Sequence, residues 1–146
     1  MKIAFTIFGE PFGKGRPRMT KKGFAYTPAK TRKKENDFLV QALSSRPDKP
    51  LGSYLSVTIT AFFSIPESKS KKWKAAALAC EIRPDKTPDI DNVVKGILDP
   101  LNSIFFNDDK QVVELHASKF YSDIPRVEVA IEEIVHIPMS KEGWSQ

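Results

Sequence analysis

The sequence predicts an α+β fold, a single domain in which a small mixed β-sheet of four to five strands packs with two to three helices. Two stretches carry that reading. Across residues 54–63, Leu55, Val57, Ile59, Ala61 and Phe63 alternate with Ser56, Thr58 and Thr60, the two-residue period of a half-buried strand. Further on, Ile90, Val93, Val94, Ile97, Leu98 and Leu101 recur at the three- and four-residue spacing of a helix with one apolar stripe. At 146 residues, 40% hydrophobic and 28% charged, the chain is long enough and apolar enough to bury a core without staples.

The remaining elements follow in order. Residues 2–8 place Ile3, Phe5 and Ile7 on one face of a first strand, and the turn-rich GEPFGKGRPR leads to FAYT as a short second one. Thr27 and Pro28, as cap and first-turn proline, start a helix that runs to about Ser44. Its apolar face is thin (Phe38, Leu39, Ala42, Leu43), so its first half should face solvent or a ligand. SKSKKWKAAALA reads as a further helix. Strands around 111–121 (Val113, Leu115, Ala117) and 126–134 (Val127, Val129, Ile131) are joined by the short SDIP turn and are expected to form an antiparallel hairpin. The domain should span 1–137, with 138–146 a frayed tail.

Several classes are excluded. The single Cys80 rules out an intramolecular disulfide and fits a reducing compartment. No run approaches the roughly 20 apolar residues that span a bilayer, so no membrane partner is expected. The apolar start ends at Glu10 and alternates like a strand, against a secretory signal, so the expected location is cytoplasmic. The two histidines lack Cys or His partners at ligand spacing, and nothing points to zinc.

Charge gives the first functional clue. The formal net charge is +5, and between Glu10 and Glu35 stand nine bases and no acid: Lys14, Arg16, Arg18, Lys21, Lys22, Lys30, Arg32, Lys33 and Lys34. A second patch holds Lys69, Lys71, Lys72 and Lys74. Such runs can be plain solvated surface. Here Arg alternates with Gly and Pro, and Phe12, Phe24 and Tyr26 are interleaved, which suits a loop presenting guanidinium forks to phosphates. Binding to a nucleic acid, strongly salt-dependent, is the expectation.

Against this background residues 89–109 hold five acids and one base. Asp89 lies at the start of the amphipathic helix. Asp91 and Lys95 are four apart and so neighbours on its polar side, which also carries Asn92, Gly96 and Asp99. Asp108 and Asp109 precede the 111–121 strand. Each piece has an ordinary reading: Asp as a helix cap, Asp91–Lys95 as an exposed ion pair, Asn107-Asp108-Asp109 as a turn. If Asp89, Asp91 and Asp109 converge, however, they repel one another unless a cation intervenes. Hard carboxylate oxygens suit Mg²⁺, which is held by one or two carboxylates with phosphate oxygens and water, and which supports phosphodiester hydrolysis. Lys95 would then offset charge on the phosphate. Pro88-Asp89 with Asp108-Asp109-Lys110 also fits the loose PD…(D/E)xK pattern of restriction-like nucleases. That pattern wants its acids on adjacent strands and leaves Asp91 and Lys95 without roles, so it ranks second.

D-x-D-N-x-x-K, an apolar helix and D-D-x-Q-V-V resemble the RusA-type Holliday junction resolvases of phages and prophages. G-K-G-R-P-R and Y-T-P-x-K-T resemble the branch found in Gram-positive bacteria and their phages. The resemblance covers about residues 6–132. It implies a Mg²⁺-dependent homodimeric endodeoxyribonuclease, with Mn²⁺ as a substitute, that nicks opposing strands of four-way junction DNA in recombination and repair. Asp89 and Asp91 match the family's paired acids, Lys95 its lysine and Asp109 its third acid. Asp108 occupies a familiar position as a further candidate ligand, and Asn92 and Gln111 fall on supporting motif positions. The basic block, with Lys69, Lys71, Lys72 and Lys74, would grip the junction arms. The alternative from another class is a non-catalytic nucleic-acid-binding module, with the acids serving as caps and turns.

Overall fold

The alternating run at 55–64 becomes the central strand of the sheet. A computed structural model describes residues 1–14, 18–23, 25–26 and 29–134. Its elements are β1 (Lys2–Phe8), β2 (Arg18–Met19), β3 (Ala25–Tyr26), α1 (Ala29–Ala42), β4 (Leu55–Ser64), α2 (Lys71–Leu78), α3 (Ile90–Leu101), β5 (Val112–Ser122) and β6 (Arg126–Glu133). Short 3-10 turns follow α1 (Leu43–Ser45) and precede β5 (Asp109–Gln111). The helix start expected at Thr27-Pro28 and the tail expected at 138–146 lie outside the described residues.

The main sheet is mixed and four-stranded, in the order β1-β6-β4-β5. β4 runs parallel to β5 and antiparallel to β6, which in turn pairs antiparallel with β1. Parallel neighbours cannot be joined by a tight turn, so the chain from β4 to β5 must cross over. That crossover contains α2 and α3, which is how the acid-bearing helix is fixed to the sheet.

One face of the sheet is dry. Leu55, Val57, Ile59, Ala61 and Phe63 are buried there with Ile3, Ile7, Val127, Val129 and Ile131. Over them pack Val93, Ile97, Leu98 and Leu101 of α3 and Phe38 and Ala42 of α1. The predicted apolar stripe is thus the buried one, except at Ile90, which is 41% exposed, and Val94, which is half-buried. α2 is capped by Ser70, whose hydroxyl accepts from the Trp73 N–H at 3.2 Å, and Trp73 meets Tyr121 of β5 edge-on. Among the described residues no helix is long and apolar enough to cross a membrane.

Two features differ from expectation. β5 and β6 are not a hairpin. The SDIP link carries the chain past the end of β4, which lies between them and hydrogen-bonds to both. The central strand is buried and must satisfy both of its edges, and that requirement overrides adjacency in sequence. Secondly, β2 and β3 form a small antiparallel ribbon inside the basic segment, where one short strand was expected. Its turn closes with the Gly23 N–H donating to the Thr20 carbonyl, and Gly23 takes a positive φ of 87°.

Phe105 and Phe106, which follow α3 without helical periodicity, are fully buried. The ring of Phe105 lies 5.3 Å from that of Phe5, which in turn is 6.3 Å from Phe38, so Phe5 of β1 bridges the fully buried Phe105 and α1. Phe105→Ala should therefore cost about 3–5 kcal/mol, read as a lower urea midpoint with unchanged slope.

Candidate functional site

α3 begins with two open carboxylates. Asp89 is its N-cap residue, with extended backbone (φ −64°, ψ 152°), and its carbonyl accepts from the Val93 N–H at 3.1 Å. Its side chain makes no capping hydrogen bond, so the cap reading of this aspartate is not realised. Asp91, in the first turn, and Lys95, one turn on, are exposed. They form no ion pair with each other, and neither side chain has a partner among the described residues.

The turn that carries these acids is anchored from two sides. Lys119 of β5 donates from Nζ to the carbonyls of Lys86 (2.7 Å) and Pro88 (2.8 Å) and lies over the Phe63 ring. Arg83 donates to the Lys119 carbonyl at 2.6 Å and stacks on Phe120. From the other side residues 12–14 lie against α3, with the Lys14 N–H donating to the Asn92 carbonyl at 2.9 Å. The polar side of α3 is thus covered in part: Gly96 is buried, and Asn92 and Asp99 are half-buried.

Asp108 and Asp109 are organised at the opposite end of α3. Asp108 caps the 3-10 turn, its Oδ1 accepting from the Lys110 N–H at 2.9 Å, while Gln111 Oε1 accepts from the Asp108 N–H at 2.8 Å. This reciprocal box realises the turn reading and gives Gln111 a definite job. The Gln111 amide nitrogen also donates to the carbonyls of Leu51 and Ser53, both at 2.9 Å. The Asp109 N–H donates to Asn102 Oδ1 at 2.8 Å.

Burial raises the Asp109 carboxyl above the usual range, helped by its hydrogen bond to Asp108 and by the charges of Asp108 and Asp99. Asp108 is lowered, chiefly by the Lys110 N–H and then by its hydrogen bond with Asp109. Two carboxyl groups so close do not both ionise freely without added positive charge.

The structure thus gathers Asp99, Asp108 and Asp109 at the C-terminal end of α3 and leaves Asp89 and Asp91 at the N-terminal end. Asp99 stands about 12 Å along the helix axis from Asp91. The convergence expected of Asp89, Asp91 and Asp109 is not present: among the described residues no three His, Cys, Asp or Glu side chains are grouped to hold a metal ion. The reason is local, since Asn102 ties Asp109 to the last turn of the helix. The restriction-like pattern is not formed either, for Asp89 opens a helix and Asp109 lies in a 3-10 turn, neither on a strand.

Basic residues are exposed on other elements. Lys21 and Lys22 occupy the turn of the small ribbon, and Lys30, Arg32, Lys33 and Lys34 are exposed along the first half of α1. Lys71 and Lys72 are exposed at the start of α2, with Lys69 over the Trp73 ring. Neither helix has an acid in its first turn. Cations at the positive end of a helix oppose its macrodipole, a cost that an external anion relieves. Arg16 and the side chain of Arg18 lie outside the described residues. Lys14 differs from the rest, because its ammonium is engaged by Asp99 (2.6 Å) and Glu35 (3.3 Å).

A family model described as Endodeoxyribonuclease RusA matches residues 9–132, a span that includes every acid and lysine named above. The chain belongs to the RusA endodeoxyribonuclease family. This RusA-family chain is 40% identical over 137 residues to the uncharacterized protein YqaN of Bacillus subtilis (strain 168), covering 90% of this chain and 96% of that one. It is 29% identical over 82 residues to the crossover junction endodeoxyribonuclease rusA of Lactococcus phage r1t, a match spanning 55% of each chain.

Sequence reasoning missed Lys119, Asn102 and the partners of Lys14. A signal for Lys119 was present: it shares its strand face with Ala117 and Tyr121, and a lysine at an inward-facing position needs a buried acceptor. Gln111→Ala would remove the Gln111 partner of the Ser53 carbonyl and the Asp108 N–H, and leave the Leu51 carbonyl with the Asn107 N–H at 3.4 Å. It should cost about 1–3 kcal/mol and speed amide exchange across 108–111, measured by chemical denaturation and hydrogen exchange.

Proposed function

We propose that this endodeoxyribonuclease is structure-selective, cutting four-way junction DNA by paired phosphodiester hydrolysis in recombination and repair, with Mg²⁺ as cofactor and Mn²⁺ as a substitute. The observation that carries the reading is the turn at Asp89–Lys95. It presents two exposed carboxylates and an exposed lysine, without partners among the described residues, on a basic protein of a DNA-cutting family. The name of the phage relative supports the junction as substrate.

The donor set fits the ion. Mg²⁺ retains water and takes one or two carboxylates together with substrate phosphate oxygens, so Asp89 and Asp91 suffice as protein ligands. When bound, the ion supplies polarisation of the scissile phosphate and a more acidic water. The family resemblance also assigns Asp109, with Asp108 beside it, to the site, although here Asn102 holds their turn at the other end of α3. Lys95 offsets the charge that develops on the phosphate oxygens. Lys21, Lys22, Lys30, Arg32, Lys33, Lys71 and Lys72, with Arg16 and Arg18, hold the phosphates of the junction arms. One site cuts one strand, so paired incision calls for two copies, which supports a homodimer.

The test is nicking of a labelled four-way junction beside a linear duplex of the same sequence. Wild type should cut the junction in Mg²⁺ and spare the duplex. Equal cutting of both would make this a general nuclease, and no cutting in Mg²⁺ or Mn²⁺ would make it a binding module. Asp91→Asn should abolish cleavage while junction affinity holds or rises, because a repulsive charge is removed. Full cleavage by that variant would sink the assignment.

A further inference from the structure

Residues 12–14 lie on α3 with their backbone in contact. A Cβ at Gly13 would stand 2.5 Å from Pro88 Cβ and 3.2 Å from Asn92 Cβ, so only glycine fits against the residues that flank Asp89 and Asp91. The helix answers with a glycine of its own. A Cβ at Gly96 would lie 3.0 Å from the Phe12 ring and 3.4 Å from the Lys14 nitrogen. The Lys14 N–H to Asn92 carbonyl bond fixes the register of the two segments.

The Lys14 side chain closes a second contact. Its ammonium lies 2.6 Å from Asp99 Oδ2 on α3 and 3.3 Å from Glu35 Oε1 on α1, and all three side chains are one-third exposed or less. Burial favours the neutral amine here, but the hydrogen bond and charge of Asp99, with those of Glu35, outweigh it and raise the Lys14 pKa. One cation between two carboxylates leaves this triad with a net charge of −1, which repels a phosphate. The basic segment between residues 14 and 35 therefore begins and ends at the same ammonium.

We infer that Phe12-Gly13-Lys14 is a positioning strap that holds α1, with its exposed Lys30, Arg32, Lys33 and Lys34, at a fixed distance from the Asp89–Lys95 turn. Lys14 acts through Asp99 and Glu35 and does not contact DNA. This rests on the function proposed above. Tying grip to cutting site matters because small misplacements of a reacting phosphate slow the chemistry far more than they weaken binding.

The experiment compares full-length Lys14→Met, Lys14→Arg and the Asp99→Asn/Glu35→Gln double variant. It measures junction affinity across a salt series, single-turnover cleavage at saturating protein, and amide exchange at residues 12–14 and 90–96. Lys14→Met and the double variant should keep wild-type affinity and salt slope, exchange faster at the strap and lose on the order of 10–100-fold in cleavage rate. Lys14→Arg should restore both. A direct phosphate contact gives the opposite pattern: Lys14→Met lowers the salt slope by about one and spares saturated cleavage, while the double variant binds more tightly. That pattern, or unchanged strap exchange in both variants, overturns the inference. If wild type cuts no junction, the proposed function fails, and the exchange data still decide the strap. The double variant is isosteric and keeps the comparison open should Lys14→Met not fold.

Discussion

Val93, Ile97 and Leu101 bury one side of α3 in the core, and the other side accepts residues 12–14 at van der Waals distance through Gly13 and Gly96. The helix can neither roll nor slide without opening the core or driving the strap into Pro88. Because α3 sits in the crossover between parallel strands, its N-terminal turn is also pinned by Lys119 from the edge strand β5. The open carboxylates of Asp89 and Asp91 are therefore presented by a rigid support. Side chains near a site can be aimed only as well as the backbone beneath them is held.

The electrostatic arrangement follows from that support. Acids collect at both ends of α3, and bases collect on the first turns of α1 and α2, where the helix dipoles disfavour them. Asp89 and Asp91 suit the positive end of α3, whereas Asp99 near its other end and the bases on α1 and α2 oppose the helix dipoles. The misplaced bases fit the proposed partner, a phosphodiester chain, and the exposed acids fit the proposed divalent cation. Lys14 is the exception that separates structure from binding, since its charge is enclosed between Asp99 and Glu35.

Much of this was legible from residues alone. The strict alternation of 55–63 and the stripe of α3 identified the core, because each depends on a local period that burial enforces. Motif order singled out Asp89, Asp91, Lys95 and Asp109 as candidates. What was not legible depends on contacts distant in sequence. The hairpin expected at SDIP failed because β4 inserts between two strands that are neighbours only in the chain. Phe105 and Phe106 carry no period, and their burial follows from the turn after Leu101. The expected convergence of Asp109 on Asp89 and Asp91 failed because Asn102 holds the Asp109 turn at the other end of the helix. Asp99 carries no local signal of its role, because its partner Lys14 lies 85 residues away in the sequence.

The central claim is that the Asp89–Lys95 turn is where a divalent cation is held. Titrating Mn²⁺ into the isotope-labelled protein and following amide signal broadening tests it without DNA or turnover. The expected result is broadening centred on residues 89–95 that disappears in an Asp89→Asn/Asp91→Asn variant. Broadening centred elsewhere, or unchanged in that variant, would contradict it.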